Sequence, residues 1–119
     1  MSEKILQVSK ILIQKKKSDK AIRLLYDGIK QDPFNAMLYS FLGDALKQCS
    51  EYDLALKMYQ KALYLAEKQG NMDLIKELQV KIENIYIVNP QDAPNGPQIG
   101  FFIRTIMKML SKMGKQDWF

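Results

Sequence analysis

An ungapped internal repeat is the feature that most constrains the fold of this 119-residue chain. When the sequence is compared with itself at an offset of 34 positions, large residues align with large residues and small residues align with small ones. The aligned pairs are Ile5 with Tyr39, Val8 with Leu42, Ser9 with Gly43, Leu12 with Leu46, Ala21 with Ala55, Leu25 with Tyr59, and Gly28 with Ala62. A period of about 20–50 residues is typical of solenoids, in which one supersecondary unit stacks on the next.

Each repeated unit has the apolar spacing of two helices. Ile5, Val8 and Leu12 recur at intervals of three and four residues, as on one face of a helix. A turn over 15–17 follows, and Ser18 is a candidate N-cap for a second helix that ends at Asp32-Pro33. The next unit begins at Asn35-Ala36. We therefore predict two helical hairpins, over about 2–35 and 36–69.

The small residues of the repeat indicate where helices cross closely. A glycine inside a helix costs about 1 kcal/mol relative to alanine, so Gly43 in mid-helix needs a packing reason. We predict a close crossing at Gly43 and Ala55, and its counterpart at Ser9 and Ala21.

The repeated residues resemble the tetratricopeptide repeat. The matching positions are Ile5, Val8, Ser9, Leu12, Ala21, Leu25, Gly28 and Pro33 in the first unit, and Tyr39, Leu42, Gly43, Leu46, Ala55, Tyr59 and Ala62 in the second. The junction over 32–36 is also similar to the one between two such repeats. Glu67 replaces the closing proline, so the last helix of the second unit can continue to Gln69 and end at Gly70.

The remainder of the chain does not continue the repeat. Residues 71–88 carry an apolar stripe, which predicts a closing helix over the open end of the second repeat. The stripe consists of Met72, Ile75, Leu78, Ile82 and Ile85. Residues 89–98 hold three prolines and predict a linker, and 99–119 predict an amphipathic helix and tail.

The expected fold is therefore all-α. It comprises a TPR-like α-solenoid domain over 1–88, with two helical hairpins and the closing helix, then the Pro-rich linker and the C-terminal amphipathic helix.

The sequence contains no recognisable catalytic constellation. The chain has no histidine and one cysteine, Cys49, which excludes histidine acid–base catalysis and a multi-cysteine metal site. No glycine-rich phosphate or dinucleotide loop is present. We expect no enzymatic activity, no cofactor and no metal.

The resemblance implies a binding groove lined by the first helix of each hairpin. The groove residues would be Leu6, Lys10, Ile13, Met37, Ser40, Asp44 and Lys47. Family members that hold the C-terminal carboxylate of chaperone tails use a lysine, asparagine and arginine clamp. Leu6, Lys10 and Phe41 stand at clamp positions here, so we do not expect chaperone tails as ligands.

The C-terminal segment has three interpretations. It packs on the repeats of its own chain, docks another protein, or lies in a membrane interface with its basic side towards the lipid headgroups. The residues available for these contacts are Phe102, Ile106, Met109, Leu110, Met113, Trp118 and Phe119. The local charge of this segment is +3, from Arg104, Lys108, Lys112 and Lys115 against Asp117. So small a charge gives few phosphate contacts, and we do not expect a nucleic-acid partner.

These observations predict a cytoplasmic adaptor or scaffold that binds a peptide or helix of another protein in the groove. The alternatives are a membrane-peripheral scaffold anchored through 99–119 and a homodimer that completes the core of a short repeat array.

Overall fold

The computed structural model describes residues 2–89, and within them it contains five helices and no strand. The helices are α1 (Ser2–Gln14), α2 (Ser18–Gln31), α3 (Ala36–Gln48), α4 (Tyr52–Gln69) and α5 (Met72–Val88). The predicted all-α class is confirmed. Of the linker predicted over 89–98 only Asn89 is among the described residues, and the amphipathic helix and tail predicted over 99–119 lie outside them. The chain divides into two compact units, 1–85 and 86–119, and the packing below is that of the first.

The helices pack as two stacked hairpins. α1 packs on α2, and α3 packs on α4. α2 also packs against α3, so the second hairpin stacks on the first. The two copies of the 34-residue repeat therefore form equivalent hairpins in the fold.

One apolar core runs through the stack. Leu25, Leu38, Leu42 and Tyr59 are almost completely buried in it. α5 adds Leu74, Leu78 and Ile85, with Ile75 and Ile82 packed against them. The stripe predicted for α5 is wrong at Met72, which is 60% exposed. Met72 is the first residue of the helix, and the stripe that faces the core begins at Leu74.

Three helices end in the same hydrogen-bonded turn. The backbone N–H of Lys17 donates to the carbonyl of Leu12 at 2.8 Å, that of Glu51 to Leu46 at 2.9 Å, and that of Asn71 to Ala66 at 3.0 Å. The residues before these donors, Lys16, Ser50 and Gly70, have φ values of 62°, 63° and 70°. These are Schellman turns. The predicted turn at 15–17 and the predicted end of α4 at Gly70 are confirmed.

The beginnings of the helices differ from one another. Asn35 caps α3, because its side-chain oxygen accepts a hydrogen bond from the N–H of Met37 at 3.1 Å. The N-cap predicted at Ser18 is wrong: α2 already includes Ser18, and Lys17 precedes it without a side-chain cap. The Ser18 hydroxyl instead donates to the amide oxygen of Gln48. The amide nitrogen of Gln48 donates to the carbonyl of Ile13 at 3.0 Å, so this side chain ties the first hairpin to α3.

Gly43 has the packing reason that its position inside a helix requires, but the group packed against it is a side chain of α4. The close crossings at Gly43 and Ala55 and at Ser9 and Ala21 stay predictions. A Cβ atom added to Gly43 would lie 2.5 Å from Cε1 of Tyr59. The missing side chain thus makes room for an aromatic ring of α4.

Candidate binding groove

Three helices line an open groove of about 350 Å³. We call it the concave groove. Its lining residues are Lys10, Ile13 and Gln14 of α1, Met37, Phe41 and Asp44 of α3, and Glu77 and Lys81 of α5. Within each helix these residues are three or four positions apart, or adjacent to such a residue, and therefore share one face.

The floor of the groove is apolar. Ile13, Met37 and Phe41 are half-buried, with part of each side chain packed against the core. The rest of each side chain remains accessible, so the floor can contact apolar groups of a ligand.

A polar network joins α3, α4 and α5 at one end of the groove. The Tyr59 hydroxyl donates to Asp44 Oδ1 at 2.6 Å. Lys81 Nζ lies 3.1 Å from Asp44 Oδ2 and 3.0 Å from Ser40 Oγ. Glu77 is a looser partner of Lys81, at 3.8 Å. Asp44 and Lys81 therefore largely neutralise each other.

Burial raises the pKa of Tyr59, and the negative charge of Asp44 raises it further. The phenol therefore stays neutral and remains a hydrogen-bond donor to Asp44. The side chain is 1% exposed, so it supports the network from beneath rather than contacting a ligand.

Lys10 differs from Lys81 in having no ion pair with any residue from 2 to 89 in the structure. It lies 34 positions before Asp44, so the two equivalent repeat positions carry opposite charges. An acidic group of a ligand would pair with Lys10, because the other cation that lines the groove, Lys81, is already paired with Asp44.

The structure brings together four of the seven residues expected in the groove: Lys10, Ile13, Met37 and Asp44. Ser40 is completely buried and contacts Lys81. Leu6 is half-buried against the core, and neither it nor Lys47 lines the groove.

Four lining residues were not in the expected groove set, although Phe41 had been placed at a clamp position. Gln14 and Phe41 follow Lys10 and Met37 by one helical turn, and this spacing could have identified them. Glu77 and Lys81 belong to α5, where no repeat position indicates which face is turned towards the groove. The expected tail contacts, Phe102, Ile106, Met109, Leu110, Met113, Trp118 and Phe119, lie outside the described residues.

The described part of the chain contains no group of three or more Cys, Asp or Glu residues that could hold a metal ion. Cys49 is exposed at the end of α3. None of the helices within 2–89 is long and apolar enough to cross a membrane.

Stacked helical hairpins with a groove along their first helices define a helical-repeat protein of the solenoid class. Residues 4–86 match the tetratricopeptide repeat-like domain family, and the chain belongs to that family. Domains of this kind typically bind other proteins and are generally non-enzymatic. No curated protein matches the sequence.

A similar fold occurs in the solution structure of protein BPP2914 from Bordetella parapertussis. The two chains superpose with a TM-score of 0.67 and 18% sequence identity, over 79% of this chain and 84% of the other. At this identity the likeness concerns the fold alone.

Proposed function

We propose that the protein is a non-enzymatic adaptor that binds a peptide or helix of a partner protein in the concave groove. The observation that carries the proposal is the combination of an accessible apolar floor with one uncompensated cation, Lys10. The family supports it in general terms, because tetratricopeptide repeat-like domains typically bind proteins.

The groove chemistry favours a particular kind of ligand. Ile13, Met37 and Phe41 can accept apolar side chains spaced along one face of a ligand. Met37 suits a floor that adapts to different shapes, because methionine is flexible and polarisable. A carboxylate placed next to these apolar groups would pair with Lys10.

The size of the floor sets the expected affinity. Complete burial of a Leu-sized side chain contributes about 1.5–3 kcal/mol. Three or four such contacts gain at most about 9–12 kcal/mol. Ordering the ligand and association cost about 4 kcal/mol or more, so we expect a net binding free energy of about 5–8 kcal/mol, which is a dissociation constant in the micromolar range or weaker.

The first experiment identifies the partner by co-purification from the native cell. It compares the full chain with a chain ending at Asn89, which retains all five described helices. A partner retained by both chains supports recognition by the repeats. A partner or lipid fraction that is lost with residues 90–119 favours the alternatives in which the C-terminal segment docks another protein or a membrane.

The second experiment measures how the isolated partner binds to two matched variants of this chain. Lys10→Glu reverses a charge within the concave groove, whereas Lys47→Glu makes the same change on α3 outside it. We expect Lys10→Glu to weaken binding about tenfold, or about 1.4 kcal/mol, and Lys47→Glu to change it less than about twofold. Equal effects of the two substitutions, or none, contradict the groove assignment.

A further inference from the structure

The first hairpin has a second partly exposed apolar surface, which shares no residue with the concave groove. A cavity of about 290 Å³ lies between α1 and α2, lined by Lys4, Ile5, Val8, Leu24 and Gln31. Ile11, one turn beyond Val8, extends it. Val8 is 39% exposed and Ile11 is 49% exposed. We call these six residues the open face.

The equivalent surface of the second hairpin, on α3, is covered by another helix. The positions in α3 equivalent to Lys4, Val8 and Ile11 are Leu38, Leu42 and Ala45, and all three are completely buried. α2 packs against α3, and a Cβ atom added to Gly28 of α2 would lie 3.2 Å from Leu38. Among the helices described, none stacks on α1 in the way that α2 stacks on α3. Within residues 2–89, the open face is therefore a stacking surface on which no helix stacks.

The charges around the open face restrict what can cover it. Lys4 replaces the apolar residue found at the equivalent position of α3. Lys15 is the first residue of the turn after α1, and its backbone N–H donates to the carbonyl of Ile11 at 3.0 Å. Residues 2–31 contain eight Lys and Arg against three Asp and Glu, whereas residues 32–89 contain six against eight. The apolar centre is thus bordered by cations at both ends.

We propose that the open face docks an acidic amphipathic helix of another protein. The apolar side of this helix would lie on Val8, Ile11 and Leu24, in the place that α2 takes against α3. Its carboxylates would pair with Lys4 and Lys15. This surface is separate from the concave groove, with which it shares no lining residue.

Charge also disfavours the two other occupants. A second copy packed symmetrically through antiparallel α1 helices would bring Lys4 of each chain close to Lys15 of the other. The segment 99–119 of the same chain is itself basic, with Arg104, Lys108, Lys112 and Lys115 against Asp117. Like charges placed opposite each other oppose both arrangements.

The probe for this proposal is a synthetic helix with a sequence based on α2. It keeps the α2 residues that pack in the stack, Ala21, Ile22, Leu25, Gly28 and Ile29, and carries glutamate at the outward positions. A side-chain cross-link holds it helical, because an isolated helix of about 14 residues is only marginally stable in water. A second peptide carries lysine at the same outward positions, and binding of both to the full chain is measured by calorimetry.

We expect micromolar binding of the acidic peptide and at least about tenfold weaker binding of the lysine peptide. Val8→Glu and Ile11→Glu in the full chain should each weaken binding of the acidic peptide at least about tenfold. The matched control is Val80→Glu, at a 51% exposed position of α5, which should change it less than about twofold. Circular dichroism establishes that each variant is folded. Two variants of the open face are used, so that the test remains possible if one of them does not fold.

Four results would overturn the proposal. The first is no binding of the acidic peptide at millimolar concentration, and the second is equal binding of the two peptides. The third is self-association of the full chain, by sedimentation, that Val8→Glu abolishes, which would assign the face to a second copy. The fourth is binding only to a chain ending at Asn89, which would assign it to 99–119. Unchanged binding in Lys10→Glu would leave the proposal intact and keep it separate from the groove.

Discussion

Individual side chains set the spacing between the helices of the second hairpin. The ring of Tyr59 packs directly against Gly43 between α3 and α4, in the space that a side chain at position 43 would take. Tyr59 in turn orients Asp44, and Asp44 holds Lys81 at the edge of the concave groove. One absent Cβ atom is therefore connected to the shape of the candidate binding site.

Gly43→Ala should destabilise the protein although alanine is the better helix former. The new Cβ atom would lie 2.5 Å from a buried ring that cannot easily move. We expect a loss of about 1–3 kcal/mol in the free energy of unfolding, measured by urea denaturation. Gly28→Ala is the control, because its Cβ atom would lie 3.2 Å from flexible Ile5 and Leu38 side chains and should cost less. A Gly43→Ala protein as stable as the wild type contradicts the packing described.

Tyr59 should make the stability of the protein depend on pH in the alkaline range. Its pKa is raised in the folded state, whereas in the unfolded chain the phenol titrates at about pH 10. The contribution of the neutral phenol is complete below that pH. Above it, the unfolded chain loses a proton that the folded protein keeps, so stability falls by up to about 1.4 kcal/mol per pH unit.

The measurement is urea denaturation between about pH 9 and pH 11 for the wild type and for Tyr59→Phe. All other tyrosines and lysines are common to both proteins, so the difference between the two profiles isolates Tyr59. We expect Tyr59→Phe to be less stable than the wild type at neutral pH and to lose stability less steeply above about pH 10. Parallel profiles would show that the phenol is not protected.

At the scale of the helices, the repeat extends to the turns. Lys16 and Ser50 are 34 positions apart and both adopt left-handed φ values, although neither is glycine. Gly70 occupies the same position after α4. All three turns close with the same hydrogen bond from a backbone N–H to the carbonyl five residues earlier.

The turns predict opposite effects of two substitutions. Ser50→Gly should raise the free energy of unfolding by about 0.5–1 kcal/mol, because glycine adopts a left-handed φ without a Cβ clash. Gly70→Ala should lower it by about 1 kcal/mol, and the cause is the backbone alone, since nothing lies within 4 Å of the added atom. Thermal and urea unfolding would check both, and equal signs for the two changes would contradict the turn geometry.

The sequence predicted the helices better than the surfaces between them. The apolar spacing, the junction at Asn35 and the glycine at position 70 are local signals, and they placed the helices and turns. Val8 aligns with Leu42 and matches it in character, yet one is exposed and the other buried. Whether a helix is covered depends on its place in the stack, which its own residues do not encode.

The same reason limits prediction of the concave groove. Four of its six α1 and α3 residues were in the set that the resemblance implies, because the first helix of each hairpin lines the groove in this family. Lys81 lines the groove because of how α5 packs. Ser40 does not line it, because this serine is completely buried beneath Lys81, whose ammonium group donates to its hydroxyl. Both results arise from tertiary contacts more than 35 residues apart in sequence.

At the scale of the whole molecule, α5 completes the core of a short array. Leu74, Leu78 and Ile85 are buried, and each contributes about 1.5–3 kcal/mol. A domain has only about 5–15 kcal/mol of net stability, so the loss of these side chains is not tolerable.

A chain ending at Asn71 should therefore be largely unfolded, while a chain ending at Asn89 should retain the helical structure. The measurement is the far-ultraviolet circular dichroism signal and its thermal transition. Equal melting temperatures for the two chains would show that two hairpins are stable without α5.

The uneven distribution of charge between the first hairpin and residues 32–89 gives this part of the molecule an electric dipole. A negatively charged partner approaching by diffusion would be turned towards the first hairpin before any contact forms. The association rate should then fall steeply as ionic strength rises and shortens the Debye length below about 10 Å, while the dissociation rate changes little. The arrangement of lysines along the chain thus determines which end of the repeat array a partner meets first.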